Sequence, residues 1–278
     1  MSVLEKFADA ATNLTPNERL LIRTVIENPA SAALGTANEL AKTVGVHEAT
    51  ASRLARKLGY ENYAGFRDAL RNEFIATRET ATRFEKTISN ATSESILGTL
   101  ALQEMQALAQ IEDFINPDQI NAAAKQLMSA RQVFIYGYGN AETLALMTLK
   151  RFRRFGMAVH KLAADPRTLA EQALELGADD AVLIFAFRRS PRGYLPLIET
   201  ARETDAKTIV IADAIGPMLV PQPDHLLAAP RSGTPDGFQT LTIPMTITNA
   251  VIIAAGLDDK TDTLKKLERL GQLIERFE

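Results

Sequence analysis

From Asn116 onward the chain alternates apolar, β-prone runs with helical segments, and no other feature of the sequence restricts the fold as strongly. The runs are QVFIYG (132–137), AVHKLA (158–163), DAVLIFAF (180–187), KTIVIAD (207–213) and DHLLAA (224–229). Parallel strands need crossover helices that bury both sheet faces, so their sequences read as continuous apolar runs. The pattern therefore predicts a parallel sheet covered on both sides. Helices are expected near 141–155, 167–176 and 191–203, with about one turn at 215–220. A long helix near 236–256 and a charged one near 259–276 follow. NPDQINAAAKQLMSA (116–130) reads as a capped helix that precedes the first strand.

The first quarter follows a different pattern. LTPNERLLIRTVIEN places Thr15 before Pro16, with Glu18 three residues on, which is a capping box with proline at the first helical position. Leu20, Leu21, Val25 and the neighbouring Ile residues form its expected inward stripe. TANELAKTVG repeats the box with Thr36 and Glu39, and Gly45 suits the left-handed residue that ends a helix. A third helix runs from about His47 to Leu58, and YENYAGFRDALRNEFI supplies a fourth, with Tyr63, Phe66 and Leu70 on one side. Helix, short glycine turn, helix is the helix-turn-helix pattern.

On a helix over 47–58, Ala51, Leu54 and Leu58 share the packed face. Ala49, Thr50, Ser52, Arg53, Arg56 and Lys57 then face outward. A helix that reads a major groove needs small residues for close approach, hydroxyls or Arg for base edges, and cations for phosphates. His47 stands where Ser, Thr or Asp usually caps, and serves as a weaker cap or a phosphate contact. A solvated charged face on an ordinary surface helix fits the same pattern. Charge narrows the choice. The whole chain carries a net −3, yet between residues 40 and 78 seven Lys/Arg (42, 53, 56, 57, 67, 71, 78) oppose four Asp/Glu (48, 61, 68, 73). Nucleic acid is thus expected as a partner of this quarter alone.

With no cysteine there is neither a disulfide framework nor a thiolate metal site. The start, MSVLEKFADAATNLTPNER, lacks a basic segment followed by an apolar core, and no apolar run reaches the ~18–20 residues of a membrane span. A cytoplasmic protein without membrane contact is expected. Between the two patterned regions, RETATRFEKTISNATSES is polar and reads as a linker, and ILGTLALQEMQALAQIEDFI as an amphipathic helix.

The stretch LTPNERLLIRTVIENP…TANELAKTVGVHEATASRLARKLGYENYAGFRDAL, with Leu58-Gly59-Tyr60 after the third helix and Phe66 in the next, resembles the N-terminal domain of RpiR/MurR-type transcriptional regulators. The resemblance implies an all-α helix-turn-helix DNA-binding domain over residues 1–77, a helical linker over 78–115, and an α/β sugar isomerase (SIS) domain over 116–278. That second domain would be a five-stranded parallel sheet in an α/β/α sandwich. Double-stranded DNA with an inverted-repeat operator is the expected partner, and because two half-sites call for two reading heads a homodimer or homotetramer is expected, with a small anionic effector and neither cofactor nor metal.

Open parallel sheets bind ligands beyond the carboxyl ends of their strands. YGYGNAET (136–143) lies at one such end. There Tyr138, Gly139, Asn140 and Thr143 are candidate ligand contacts, because backbone NH groups at a helix start favour an anion. A tight strand-to-helix turn explains the glycines as well. SIS domains usually carry a serine two residues after the second glycine; Ala141 stands there. AFRRSPRGYL (186–195) lies at a second end and lacks the family's Ser-x-Ser-Gly-Glu/Asp-Thr phosphate loop. Arg188, Arg189, Ser190 and Arg192 stand instead, and guanidiniums bind carboxylate or phosphate in a fork. APRSGTPDGF (229–238) offers Ser232 as a further contact and Asp236 as a helix cap. His160 and His225 have no zinc spacing. Three readings remain: a ligand-responsive regulator, a SIS-type sugar-phosphate isomerase or related enzyme with Glu142 or Glu171 as base, and a module that only assembles with a partner. The exposed basic set on 47–57 favours the regulator, with no catalytic residue assigned.

Overall fold

The computed structural model describes residues 3–27, 32–33, 35–70, 95–233 and 237–278. Most of the polar stretch expected to be a linker lies outside the described residues, as does the expected cap Asp236. The chain divides into two compact units. One comprises 1–108, 217–220 and 231–240; the other comprises 109–216, 221–230 and 241–278.

The first unit contains α1 (Val3–Ala10), α2 (Pro16–Glu27), α3 (Ala37–Thr43), α4 (Glu48–Lys57), α5 (Tyr63–Leu70) and nearly all of α6 (Ile96–Ala109). Both capping boxes form. Thr15 N–H donates to Glu18 Oε2 at 2.8 Å and Glu18 N–H to Thr15 Oγ1 at 3.3 Å; Thr36 and Glu39 make the same exchange. At the turn between α3 and α4, Gly45 has φ +70°. Its N–H donates to Lys42 O and that of Val46 to Ala41 O, the Schellman ending that a β-carbon at 45 would strain. Ala51, Leu54 and Leu58 are buried as the spacing predicts, together with Ala55. The core closes around Phe7 and Phe66, whose rings meet edge-on at 6.2 Å. Leu20 departs from the expected stripe: it is 37% exposed. The buried face of α2 is Glu18, Leu21, Ile22, Val25 and Ile26, and at 100° per residue Leu20 falls on the opposite side.

The second unit is a five-stranded, all-parallel sheet: β1 (Val133–Gly137), β2 (Val159–Lys161), β3 (Ala181–Ala186), β4 (Lys207–Ala212) and β5 (His225–Ala228), in the order β2-β1-β3-β4-β5. Its helices are α7 (Pro117–Ser129), α8 (Ala141–Arg154), α9 (Pro166–Ala173), α10 (Tyr194–Glu203), α11 (Thr242–Asp258) and α12 (Lys260–Phe277). The expected turn at 215–220 is a short 3-10 segment, Gly216–Met218. The long helix expected from 236 begins at Thr242. Pro244 sets that start. A helix from 236 would press its ring on the carbonyl of residue 240, whereas in a first turn no N–H is required. Among the described residues no helix is long and apolar enough to cross a membrane.

Strand order positions the crevice. β1 and β3 pair side by side, with Gly137 level with Phe185. From β1 the chain crosses outward to β2, and from β3 it crosses the other way to β4. The connections therefore diverge, and the gap between them at the carboxyl ends is the topological switch point where doubly wound sheets take ligands.

Candidate functional site

In the first unit the outward set of α4 stands as follows. Ala49, Arg53 and Arg56 are exposed, and Thr50 and Ser52 half-buried. Arg53 Nε donates to its own helix at Ala49 O, 3.2 Å away. His47 caps α4 by accepting the Ala49 N–H at Nδ1, 3.2 Å, so its side chain performs the capping role that the sequence left open. Lys57 is different. Its ammonium donates to Glu18 Oε2 at 2.8 Å and also to the Asn13 carbonyl. Its outward place on the helix predicts a phosphate contact, whereas in the structure its charge faces Glu18 of a neighbouring helix.

Glu18 thereby becomes a node, with one carboxylate oxygen holding both the α2 cap and the end of α4. Burial alone would raise its pKa, but the Lys57 and Thr15 hydrogen bonds outweigh burial and leave it below the usual 4.5. A lowered folded pKa stabilises the fold above the unfolded value and loses that contribution as pH falls through the folded one. Glu18→Gln should cost about 1–2 kcal/mol at neutral pH. The gap to wild type should close below about pH 4.5. Hydrogen exchange of α2 and α4 amides in the intact chain at pH 7 and 3.5 measures it; an equal gap at both would refute the assignment.

In the second unit the two predicted loops leave the carboxyl ends of the neighbouring strands β1 and β3, at the switch point of the strand order. After β1, a β-carbon at Gly137 would lie 2.6 Å from the Ala141 carbonyl oxygen, so glycine lets the start of α8 sit against the strand end. Gly139 has φ +62°, and Asn140, the residue preceding α8, makes no side-chain cap. Tyr138, Gly139, Asn140 and Thr143 are exposed. Because α8 begins at Ala141, Thr143 occupies its first turn and does not take over the position of the usual serine. Glu142 pairs with Lys161 at the end of β2. After β3, Arg188 and Ser190 are half-buried and Arg189 and Arg192 exposed. The loop is tied down by Asp213, a buried acid at the end of β4 whose carboxylate accepts the Arg188 N–H. Sequence reading missed Asp213, although an acid immediately after an apolar strand was a signal.

Ser232 is not among these residues. It belongs to the first compact unit, is buried, and donates to Glu104 Oε1 of α6, which also accepts from Thr240 Oγ1 at 2.6 Å. Its hydroxyl is committed to a helix glutamate. No group of metal-ligating side chains occurs among the described residues.

A helix-turn-helix unit followed by a doubly wound parallel sheet is the domain plan of DNA-binding regulators with a sugar-isomerase-type domain. Residues 1–77 match the helix-turn-helix domain of the rpiR family, and residues 126–254 match the SIS domain. The chain thus has the two-domain make-up of RpiR-type transcriptional regulators. It is similar to the HTH-type transcriptional regulator RpiR of Escherichia coli K12, 18% identical over 267 residues, covering 95% of this chain and 89% of that one. In fold it resembles the sugar isomerase domain of the RpiR transcription factor from Sphaerobacter thermophilus (TM-score 0.57, 18% identity, 63% of this chain and 97% of that one). It also resembles the Vibrio vulnificus NanR protein complexed with ManNAc-6P (TM-score 0.59, 15% identity, 100% and 99%).

Proposed function

We propose that this regulator reads an inverted-repeat operator through α4 and changes its grip when a small anion occupies the β1/β3 crevice. The observation that carries the reading is the split of α4: Ala51, Leu54, Ala55 and Leu58 are buried, while Arg53, Arg56 and Ala49 stand exposed beside half-buried Thr50 and Ser52. In a helix-turn-helix the first turns of that helix meet base edges. The effector is a phosphosugar, a sugar acid or another carboxylate. The phosphorylated amino sugar bound by NanR supports the first, and the replacement of the usual serine by Ala141 and of the phosphate loop by arginines supports the others. Coupling between the sites is expected at about 1–3 kcal/mol.

The role is regulatory and not enzymatic. Of the two acids that were candidate bases, Glu142 is paired with Lys161 and Glu171 lies exposed beside Arg167, so neither is poised at a reacting centre. Two half-sites call for two reading heads. Apolar surface for pairing is present in each unit: Leu97 and Met105 of α6 are exposed, and so are Leu264, Ile274 and Phe277 of α12. The working form is a homodimer or homotetramer in the cytoplasm. Selection of duplexes from a random library by the intact protein should enrich two inverted half-sites about one helical turn apart, and sedimentation at micromolar concentration should give at least a dimer. An unenriched pool, or a monomer with and without DNA, would overturn the reading.

A further inference from the structure

The arginine loop after β3 is held in a strained turn by a buried carboxylate, and we propose that Asp213 is the positioning residue of the anion site. By fixing the backbone at Arg188 it fixes where that guanidinium leaves the sheet edge. The inference rests on the reading of the β1/β3 crevice as the effector site.

Arg188 has φ +66°, in the left-handed region that side chains other than Gly, Asn and Asp rarely enter. The Arg189 N–H donates to the Phe187 carbonyl at 2.8 Å, which closes a three-residue turn with Arg188 at its centre. Nothing in an arginine side chain favours that conformation, so it is imposed from outside. The source is one strand away. Ala186 of β3 pairs with Ala212 of β4, which puts Asp213 level with Phe187. Both Asp213 oxygens accept the Arg188 N–H, at 3.1 and 2.9 Å, and Oδ1 also accepts the Ile215 N–H at 3.2 Å. The far end of the loop is tied as well: the Gly193 N–H donates to the hydroxyl of buried Tyr136 of β1 at 3.3 Å. The loop is therefore anchored to the ends of the two strands that flank β3.

Taking a carboxylate out of water to hold main-chain amides is costly. Glycine at 188 would adopt the same turn without strain and without that help. The chain keeps arginine there, and backbone strain that its surroundings enforce concentrates at ligand clamps. A strained Arg188 and a buried acid that enforces the strain make sense together if the guanidinium must point one way.

The test uses the intact protein labelled with 15N-arginine, titrated with inorganic phosphate and with citrate. Wild type should show a saturable shift of the Arg188 Nε–H signal with at least one of the two anions. Asp213→Ala should weaken that binding about tenfold or more. Asp213→Asn should remain within about threefold, because one amide oxygen can still accept both N–H groups. Arg188→Gly should melt about 2–4 °C higher than Arg189→Gly, since glycine relieves strain at 188 only. A folded Asp213→Ala protein that binds as tightly as wild type overturns the proposal. Should that variant fail to fold, equal melting of the two glycine variants overturns it, because the turn then holds no strain for Asp213 to impose. No saturable shift in wild type with either anion is a different failure, that of the crevice as an effector site.

Discussion

Gly137→Ala should unfold the sheet unit, or destabilise it by about 3 kcal/mol, at the upper end of what overpacking a core costs. The added β-carbon would lie 2.6 Å from the Ala141 carbonyl oxygen, 2.8 Å from the Ala141 carbonyl carbon and 3.2 Å from the Ala145 β-carbon. The first two are backbone atoms and cannot rotate away. Relief requires α8 to lift from β1, and α8 buries Leu144, Ala145, Thr148, Leu149 and Phe152. Gly139→Ala two residues on is the control. A β-carbon there meets nothing within 4 Å and is disfavoured only by φ +62°, at a cost of about 1 kcal/mol. Hydrogen exchange of β1 and α8 amides in both variants separates the two causes. Equal losses would mean that both glycines serve backbone conformation alone, and that α8 does not depend on close approach to the strand.

The pair of glycines shows what the sequence carried and what it did not. Their spacing announced a strand-to-helix turn, and the apolar runs gave every strand to within about two residues, because burial on both faces leaves few other readings of VLIFA or TIVIA. Whether Gly137 served a ligand or a close contact was undecidable from spacing, since both require the same missing side chain. Other partnerships were out of reach for one reason, partners far apart in the chain. Lys57 looks like a phosphate contact until Glu18, 39 residues earlier, is placed against it. Ser232 looks like a ligand hydroxyl until Glu104, 128 residues earlier, accepts its hydrogen bond. Asp213 has no apparent role until β3 and β4 pair and bring it level with Phe187. The late start of α11, by contrast, was legible: Pro244 alone requires it.

Arg53→Ala and Lys57→Ala, four residues apart on α4, should behave differently. Arg53 is exposed and, among the described residues, donates to the carbonyl of its own helix at Ala49, so its removal uncovers none of the buried groups described. Its loss should weaken binding to the selected operator by about 1–3 kcal/mol, roughly five- to 150-fold, if it reads a guanine edge. The stability of the helical unit should not change. Lys57 holds a Glu18 side chain that is only 10% exposed. Its removal strips the carboxylate of its cation and loosens the seam between α2 and α4, at about 1 kcal/mol, discounted for the partial exposure of the lysine. Its ammonium already has an anionic partner, so few counterions are released when DNA arrives. The salt dependence of binding should therefore barely move, whereas Arg56→Ala should lower the slope by about one. Operator affinity measured between about 50 and 200 mM salt, beside hydrogen exchange of the same variants, distinguishes the roles. If Lys57→Ala flattens the slope as much as Arg56→Ala and leaves exchange untouched, Lys57 abandons Glu18 for a phosphate in the complex, and the seam that it closes in the free protein has little weight.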